Sequence, residues 1–251
     1  MNLMQNKDLI LTLTRYEFKL RYRGAVLGVL WSLIAPFLLA LVLYFVFRNV
    51  FNFVENFALY VLVGIFVFRF FSVATSVGMH SIVGKAHLVT KTNVERSLLP
   101  LATTLSYAIS SFIELLILIP ILLLLGSKIG FTISLLIFLH FFYTIFVYGL
   151  NLLLSAIMVH FRDLNQIWEV ITNVLFFASP IVYPISIIPE SYRSFYMLNP
   201  ISAIVELYRG VMIYNSIDLG LLAYFSLVAI LVLLAGYSFF MRMQRRFGEV
   251  L

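Results

Sequence analysis

Residues 26–47, 131–159 and 219–241 each run for more than twenty positions without a single Asp, Glu, Lys or Arg. A hydrocarbon layer about 30 Å thick is crossed by roughly 20 apolar helical residues, so runs of this length specify membrane-spanning helices. Three further apolar runs, 57–77, 98–125 and 167–188, bring the expected number of spans to six. The mean hydropathy of +1.05 agrees, as do 63% hydrophobic and 11% charged residues, because a soluble core of this size has no room for that much apolar surface. The expected fold class is all-α integral membrane, with residues 1–25 as a peripheral helix and 26–251 as one transmembrane domain. No separate catalytic domain is left over.

The basic residues fix an expected orientation. Six spans put both termini on one side, and that side carries Lys7, Arg15, Lys19, Arg21, Arg23, Lys85, Lys91, Arg96, Arg162, Arg242, Arg245 and Arg246. The other side carries Arg48, Lys128, Arg193 and Arg209. Twelve against four places both termini in the cytoplasm of a multi-pass cell-membrane protein under the positive-inside rule. The net charge of +6 is therefore a topology signal rather than a footprint for nucleic acid, which is not an expected partner. Absence of cysteine excludes disulfides, thiolate metal sites and thiol nucleophiles. The opening MNLMQNKDLILTLTRYEFK lacks the apolar core and small-residue cleavage site of a signal peptide.

Within that opening, Leu9, Leu13, Tyr16 and Leu20 recur at helical spacing beside the cations Arg15, Lys19, Arg21 and Arg23. This pattern fits an amphipathic helix at the cytoplasmic interface, or a solvated leader that only enforces topology. Gly24 and Gly28 form either a small-xxx-small contact for another helix or a simple turn. The polar stretch 78–97 is too long for a turn between helices. It reads as a plain loop or as a docking surface for a cytoplasmic partner through Lys85, His87 and Lys91. His80 and His87 lie seven apart without acidic or thiol companions, so no metal site is expected.

Two charges fall inside spans, Arg69 and Glu114. Such groups are costly in hydrocarbon and face a partner or a wet cavity. A structural clamp between them is the favoured reading, and a proton relay, the mark of an ion-coupled carrier, is the alternative. Nucleotide-binding GxxxxGK[ST], zinc HExxH and a scaffolded Ser-His-Asp set are all absent. No catalytic residues, metal or cofactor are expected in this chain.

The stretch FRDLNQIWEVITNVLFFASPIVYP from Phe161 opens on the charges Arg162 and Asp163 and closes on Pro180 and Pro184. Arg162 and Asp163 fit a helix start at the cytoplasmic mouth, with Asp163 as a capping group. The two prolines remove backbone donors, which a membrane tolerates only where neighbours satisfy the freed carbonyls, so a broken or re-entrant helix is expected. Beyond it, residues 185–218 read as an outer lid with a short helix over 201–214. Its tyrosines, with Tyr183, form either an interfacial aromatic belt or a stacking surface for sugar rings.

Several of these motifs carry a resemblance. RYRGAVLGVLWSLIAPFLLALVLYFVF (Arg21 to Phe47), GIF (Gly64 to Phe66), FRDL (Phe161 to Leu164) and SPIVYP (Ser179 to Pro184) stand in a distinctive order. Ile188-Pro189, LNPI (Leu198 to Ile201) and Tyr208-Arg209 continue it. The ordered set resembles the permease subunits of type-2 ABC exporters of lipid-linked polysaccharide, which serve O antigen, capsule and teichoic acid, and it covers essentially the whole chain.

The resemblance implies a homodimer in the type-2 ABC exporter fold, each subunit with six transmembrane helices, an N-terminal interfacial helix and a gate segment between helices 5 and 6. It implies two copies of a separate cytoplasmic ATPase that binds ATP and Mg, and a channel between subunits for a lipid-linked glycan. Carried over, Trp31, Pro36, Tyr44, Ser179, Pro180 and Tyr183 lie along or support that path. Pro189, Tyr192, Tyr196, Pro200, Tyr208 and Arg209 belong to the outer gate. Arg15, Lys19, Arg21, Lys85, His87, Lys91, Arg162 and Asp163 receive the ATPase movement. Val67-Phe68-Arg69 departs from the family pattern, so no role for Arg69 is inherited. A type-2 exporter of a small drug or lipid shares most of these features and stays an alternative.

Overall fold

The computed structural model describes residues 7–23, 30–51, 53, 56–92 and 94–250. The Gly24 and Gly28 pair and the first part of the 26–47 run lie outside the described residues. Helices are the regular elements throughout, and no strand occurs among the described residues. This is what a lipid solvent demands, since it offers exposed backbone groups no hydrogen bonds.

The chain opens with α1 (Lys7–Tyr22), α2 (Leu30–Phe47) and α3 (Phe57–Gly78). A short α4 (Ala86–Lys91) interrupts the polar stretch before the long α5 (Leu98–Leu124). Next come α6 (Leu136–His160), entered through a tight turn of helix at Phe131–Leu135, and α7 (Leu164–Phe177). The outer segment forms α8 (Glu190–Met197) and α9 (Pro200–Arg209), which widens into a π turn at Gly210–Tyr214. The last long helix is α10 (Leu219–Met243), followed by the short α11 (Phe247–Val250).

Among the described residues, four helical stretches are long and apolar enough to cross a membrane: Phe57–Gly78, Leu98–Leu124, Phe131–His160 and Leu219–Arg246. All four were expected spans. They differ in burial rather than in composition. Of the most apolar window of α3, 78% is buried inside the subunit, against 17% for α10. The central helix α3 contacts α2, α5, α6 and α9, whereas α10 rests mainly on α6 and turns the rest of its surface outward.

The contact between α6 and α10 depends on two glycines. A Cβ on Gly236 would stand 2.1 Å from the Gly149 carbonyl oxygen, and one on Gly149 would stand 2.7 Å from the Leu233 backbone. Small residues of this kind let helix backbones meet where lipid supplies no hydrophobic drive for association.

Of the two remaining expected spans, the fifth differs from a simple crossing helix. Within the described residues the first is helical from Leu30, with Pro36 inside it. The fifth, expected over 167–188, is helical only over Leu164–Phe177. Fourteen residues at 1.5 Å each make about 21 Å, short of the hydrocarbon thickness. The helix stops at Ala178, and Pro184 and Ile188 are extended. Two prolines four residues apart remove the donors that a further turn requires.

Helix α1 packs along the first half of α5. Thr14 is buried and Leu13 joins an inner cluster around Ile82, Leu99 and Phe247, while Tyr16 and Leu20 stay exposed. The expected apolar stripe is thus covered at one end and open at the other.

Candidate functional site

Breaking a helix in the middle of an apolar protein leaves carbonyls without donors. Here the freed carbonyls are satisfied by four side chains, those of Tyr60, Tyr183, Asn199 and Arg209. Arg209, fully buried at the end of α9, donates through Nη1 to the Pro180 oxygen and through Nη2 to the Ile181 oxygen at 2.8 Å. Its Nε and Nη2 reach the Tyr60 oxygen on α3 at 3.2 and 3.1 Å. The Asn199 amide donates to the Ser179 hydroxyl at 2.9 Å and to the Ala178 oxygen at 3.4 Å. The Tyr183 hydroxyl returns to the Phe177 oxygen at 2.7 Å and also meets the Tyr196 hydroxyl. Tyr60 donates to the Tyr183 oxygen at 3.3 Å and to Glu206 at 3.0 Å.

The charge of Arg209 is balanced one turn back on its own helix. Glu206 lies 2.6 Å from Arg209 Nη1, and the guanidinium carbon stands 3.2 Å from the centroid of the Tyr60 ring. A guanidinium with five donors in a fixed plane can serve several carbonyls, a carboxylate and an aromatic face together. Gly64, the first residue of GIF, makes the space: a Cβ there would stand 2.6 Å from Arg209 Nη2 and 2.7 Å from the Ile181 oxygen. Asn199 accepts from the Ile201 amide and Pro200 follows it, so LNPI is a helix start.

The lid expected over 185–214 divides in two. Pro189 starts α8, whose Tyr192 and Phe195 are strongly exposed and whose Arg193 holds the Ile188 oxygen at 2.9 Å. Helix α9 is instead an interior element. Ile201 to Val205 and Leu207 to Arg209 are buried, and Tyr208 meets His140 Nδ1 at 2.9 Å. Arg209 is therefore enclosed by protein rather than exposed at its surface.

Along α2, Trp31 is exposed, Pro36 is buried and Tyr44 stacks near Phe57. Tyr44 faces a small cavity between α2 and α3, whereas Tyr183 lines one of about 430 Å³ between α2 and α7. Pro36 lines a third, of about 280 Å³. The Pro36 and Tyr183 cavities share Leu39 and Phe176 and so form one crevice bounded by α2, α3 and α7. Ser179 and Pro180 are buried behind it.

At the other end, Lys85 forms an ion pair with Glu17 of α1 and reaches Thr103 of α5 at 3.4 Å. Arg21 donates to the hydroxyls of Ser110 and Ser106 at 2.7 and 3.2 Å and lies 3.2 Å over the Tyr107 ring. Arg15, Lys19, His87 and Lys91 are exposed. Arg162 and Asp163 are exposed and form no ion pair among the described residues. Asp163 occupies the position before α7, but its carboxylate makes no capping hydrogen bond.

Arg69 and Glu114 face one cavity with Arg21 and Ser32. No direct salt bridge joins the two among the described residues. Instead Ser32 mediates, accepting from Arg69 at its carbonyl and sharing a side-chain hydrogen bond with Glu114. Tyr60, Asn199 and Glu17 were not singled out from sequence. The spacing of Glu206 and Arg209, one helical turn apart in an apolar stretch, is the sequence signal from which a buried pair could have been found.

Several long apolar helices, with a broken one held by buried polar groups, define a multi-pass membrane protein whose irregular backbone is protected inside the subunit. Residues 8–213 match the family model described as ABC-2 type transporter, and the chain belongs to this family. It is similar to the O-antigen export system permease protein RfbA of Myxococcus xanthus, 30% identical over 260 residues, covering 98% of this chain and 96% of the relative. It is also similar to a protein of the same name from Klebsiella pneumoniae, 25% identical over 250 residues, covering 97% and 95%.

Proposed function

We propose that this chain is the channel-forming permease subunit of an ATP-driven exporter of lipid-linked surface polysaccharide. One observation carries the reading: the relatives named as O-antigen export permeases align with nearly the whole chain. In this reading two subunits, each with residues 1–25 as an interfacial helix and 26–251 as a six-span domain, pair in a prokaryotic cell membrane with both termini cytoplasmic. Two copies of a cytoplasmic ATPase hold ATP and Mg, and this chain performs no chemistry itself.

The crevice beside α2 supports a glycan path, since most of its lining is apolar or aromatic. Weak stacking on Tyr183 there, and on Trp31 and Tyr44 elsewhere along α2, lets a polymer slide, whereas tight binding at any point stalls it. Pro36, Ser179 and Pro180 shape that wall. Pro189, Tyr192 and Tyr196 form the mobile part of the outer gate, and Pro200, Tyr208 and Arg209 its anchored base. Arg15, Lys19, Arg21, Lys85, His87, Lys91, Arg162 and Asp163 receive the push from the ATPase.

The test is co-expression with the ATPase encoded beside this gene, followed by staining of surface glycan. Surface glycan that depends on both proteins is expected. Transport of a small drug or lipid by the pair, with no glycan at the surface, sinks the polysaccharide reading.

A further inference from the structure

The cavity shared by Arg69 and Glu114 has a volume of about 230 Å³ and draws on four helices: Arg21 from α1, Ser32 from α2, Arg69 from α3, and Tyr107, Ser110 and Glu114 from α5. Polar cavities of this size hold water or a ligand. The charge lining it is unequal, two guanidiniums against one carboxylate. Glu114 interacts electrostatically with both arginines, yet it can balance only one. The nearby Glu17 is engaged by Lys85.

Level in the membrane follows from α1. Between Lys7 and Arg23 this helix carries Asp8, Arg15, Glu17, Lys19 and Arg21 as well, a density of charge that hydrocarbon excludes. Because α1 follows α5 from near Thr103 at Glu17 to Ser110 at Arg21, the polar headgroup layer reaches the cavity beside Arg21. Glu114, four residues further along α5, marks the deep end.

We propose that this cavity binds the phosphate of an anionic lipid headgroup from the leaflet on the α1 side. Both arginines are prepared for such a group. Arg21 is held flat against Tyr107 and fixed by Ser106 and Ser110. Arg69 donates through Nη1 to the Ser32 carbonyl, and its other N–H groups make no hydrogen bond to the described residues. Planar guanidiniums take phosphate oxygens two at a time. Glu114 repels the anion from the deep end, which keeps the lipid exchangeable. Arg69 also lines the Pro36 cavity, so the site adjoins the crevice read as the glycan path.

The full-length chain, purified in a neutral detergent, is titrated with dioctanoyl phosphatidic acid, dioctanoyl glycerol and inorganic phosphate, and binding is read by native mass spectrometry. Phosphatidic acid is expected to bind and the glycerolipid without phosphate is not. Arg69→Gln is expected to weaken phosphatidic acid binding on the order of tenfold, as loss of a charge-assisted hydrogen bond does. Glu114→Gln is expected to tighten it, which a merely structural carboxylate does not do. Phosphatidic acid binding unchanged in both variants overturns the proposal. Inorganic phosphate bound as tightly as the lipid overturns the lipid source, leaving a soluble anion site. Should Arg69→Gln fail to fold, the sign of the Glu114→Gln effect decides alone.

Discussion

Arg209 Nη2 lies 2.8 Å from the carbonyl oxygen of Ile181, a residue 28 positions earlier, at the point where α7 ceases to be a helix. The same guanidinium reaches Pro180 and Tyr60, so one side chain ties the broken segment to α9 and α3. The break is thus a fixed feature of the fold rather than a loose end, and the outer gate proposed here has a rigid base.

Arg209→Met is expected to lower stability by about 3–5 kcal/mol, the scale for removing one partner of a buried ion pair. It also strips donors from three carbonyls. Arg209→Lys keeps the charge without the planar fork and should fall between variant and wild type. Thermal unfolding of the detergent-purified protein measures both, and equal melting of Arg209→Met and wild type contradicts the role given to this side chain.

Gly64→Ala places a methyl within 2.7 Å of both Arg209 Nη2 and the Ile181 oxygen. Overpacking of that kind costs about 1–3 kcal/mol. Since the methyl acts by displacing Arg209, its effect should shrink when Arg209→Met is already present. A double-mutant cycle on melting temperature reads the coupling, and strict additivity argues against it.

Gly236→Ala drives a methyl into the Gly149 carbonyl and should separate α6 from α10 at about 1–3 kcal/mol. Gly248→Ala, where a Cβ meets nothing within 4 Å, serves as the control and should leave unfolding unchanged. Comparable melting of the two variants refutes the close crossing.

The ion pair between Glu17 and Lys85 joins α1 to the stretch before α4 and is only partly exposed. Glu17→Lys or Lys85→Glu alone should reduce export several-fold while changing stability by about 1 kcal/mol or less. Exchanging the two charges in one protein should restore much of the export. Surface glycan in cells carrying the ATPase partner is the readout, and no recovery in the exchanged variant rules out the pair as a coupling contact.

Much of the fold was legible because membrane helices are decided locally. The runs at 57–77, 98–125, 131–159 and 219–241 became α3, α5, α6 and α10 with their ends displaced by a few residues. Pro180 and Pro184 marked the break, although α7 ends before the first of them. The site was less legible. Nothing in the sequence around Tyr208 and Arg209, read there as part of an outer segment, showed that both side chains would be fully buried. Asp163 looked like a helix cap and makes no such bond.

By itself the sequence determined that this is a helical membrane protein with a break near residue 180, because apolar run length and missing proline donors act within about twenty residues. The tertiary structure decided which groups repair the break and which charges share a cavity. Arg209 meets Tyr60 across 149 positions, and Gly149 meets Gly236 across a helix interface. Such meetings follow from how whole helices pack, where a single missing Cβ sets the approach and a carbonyl takes whichever donor that approach brings within reach.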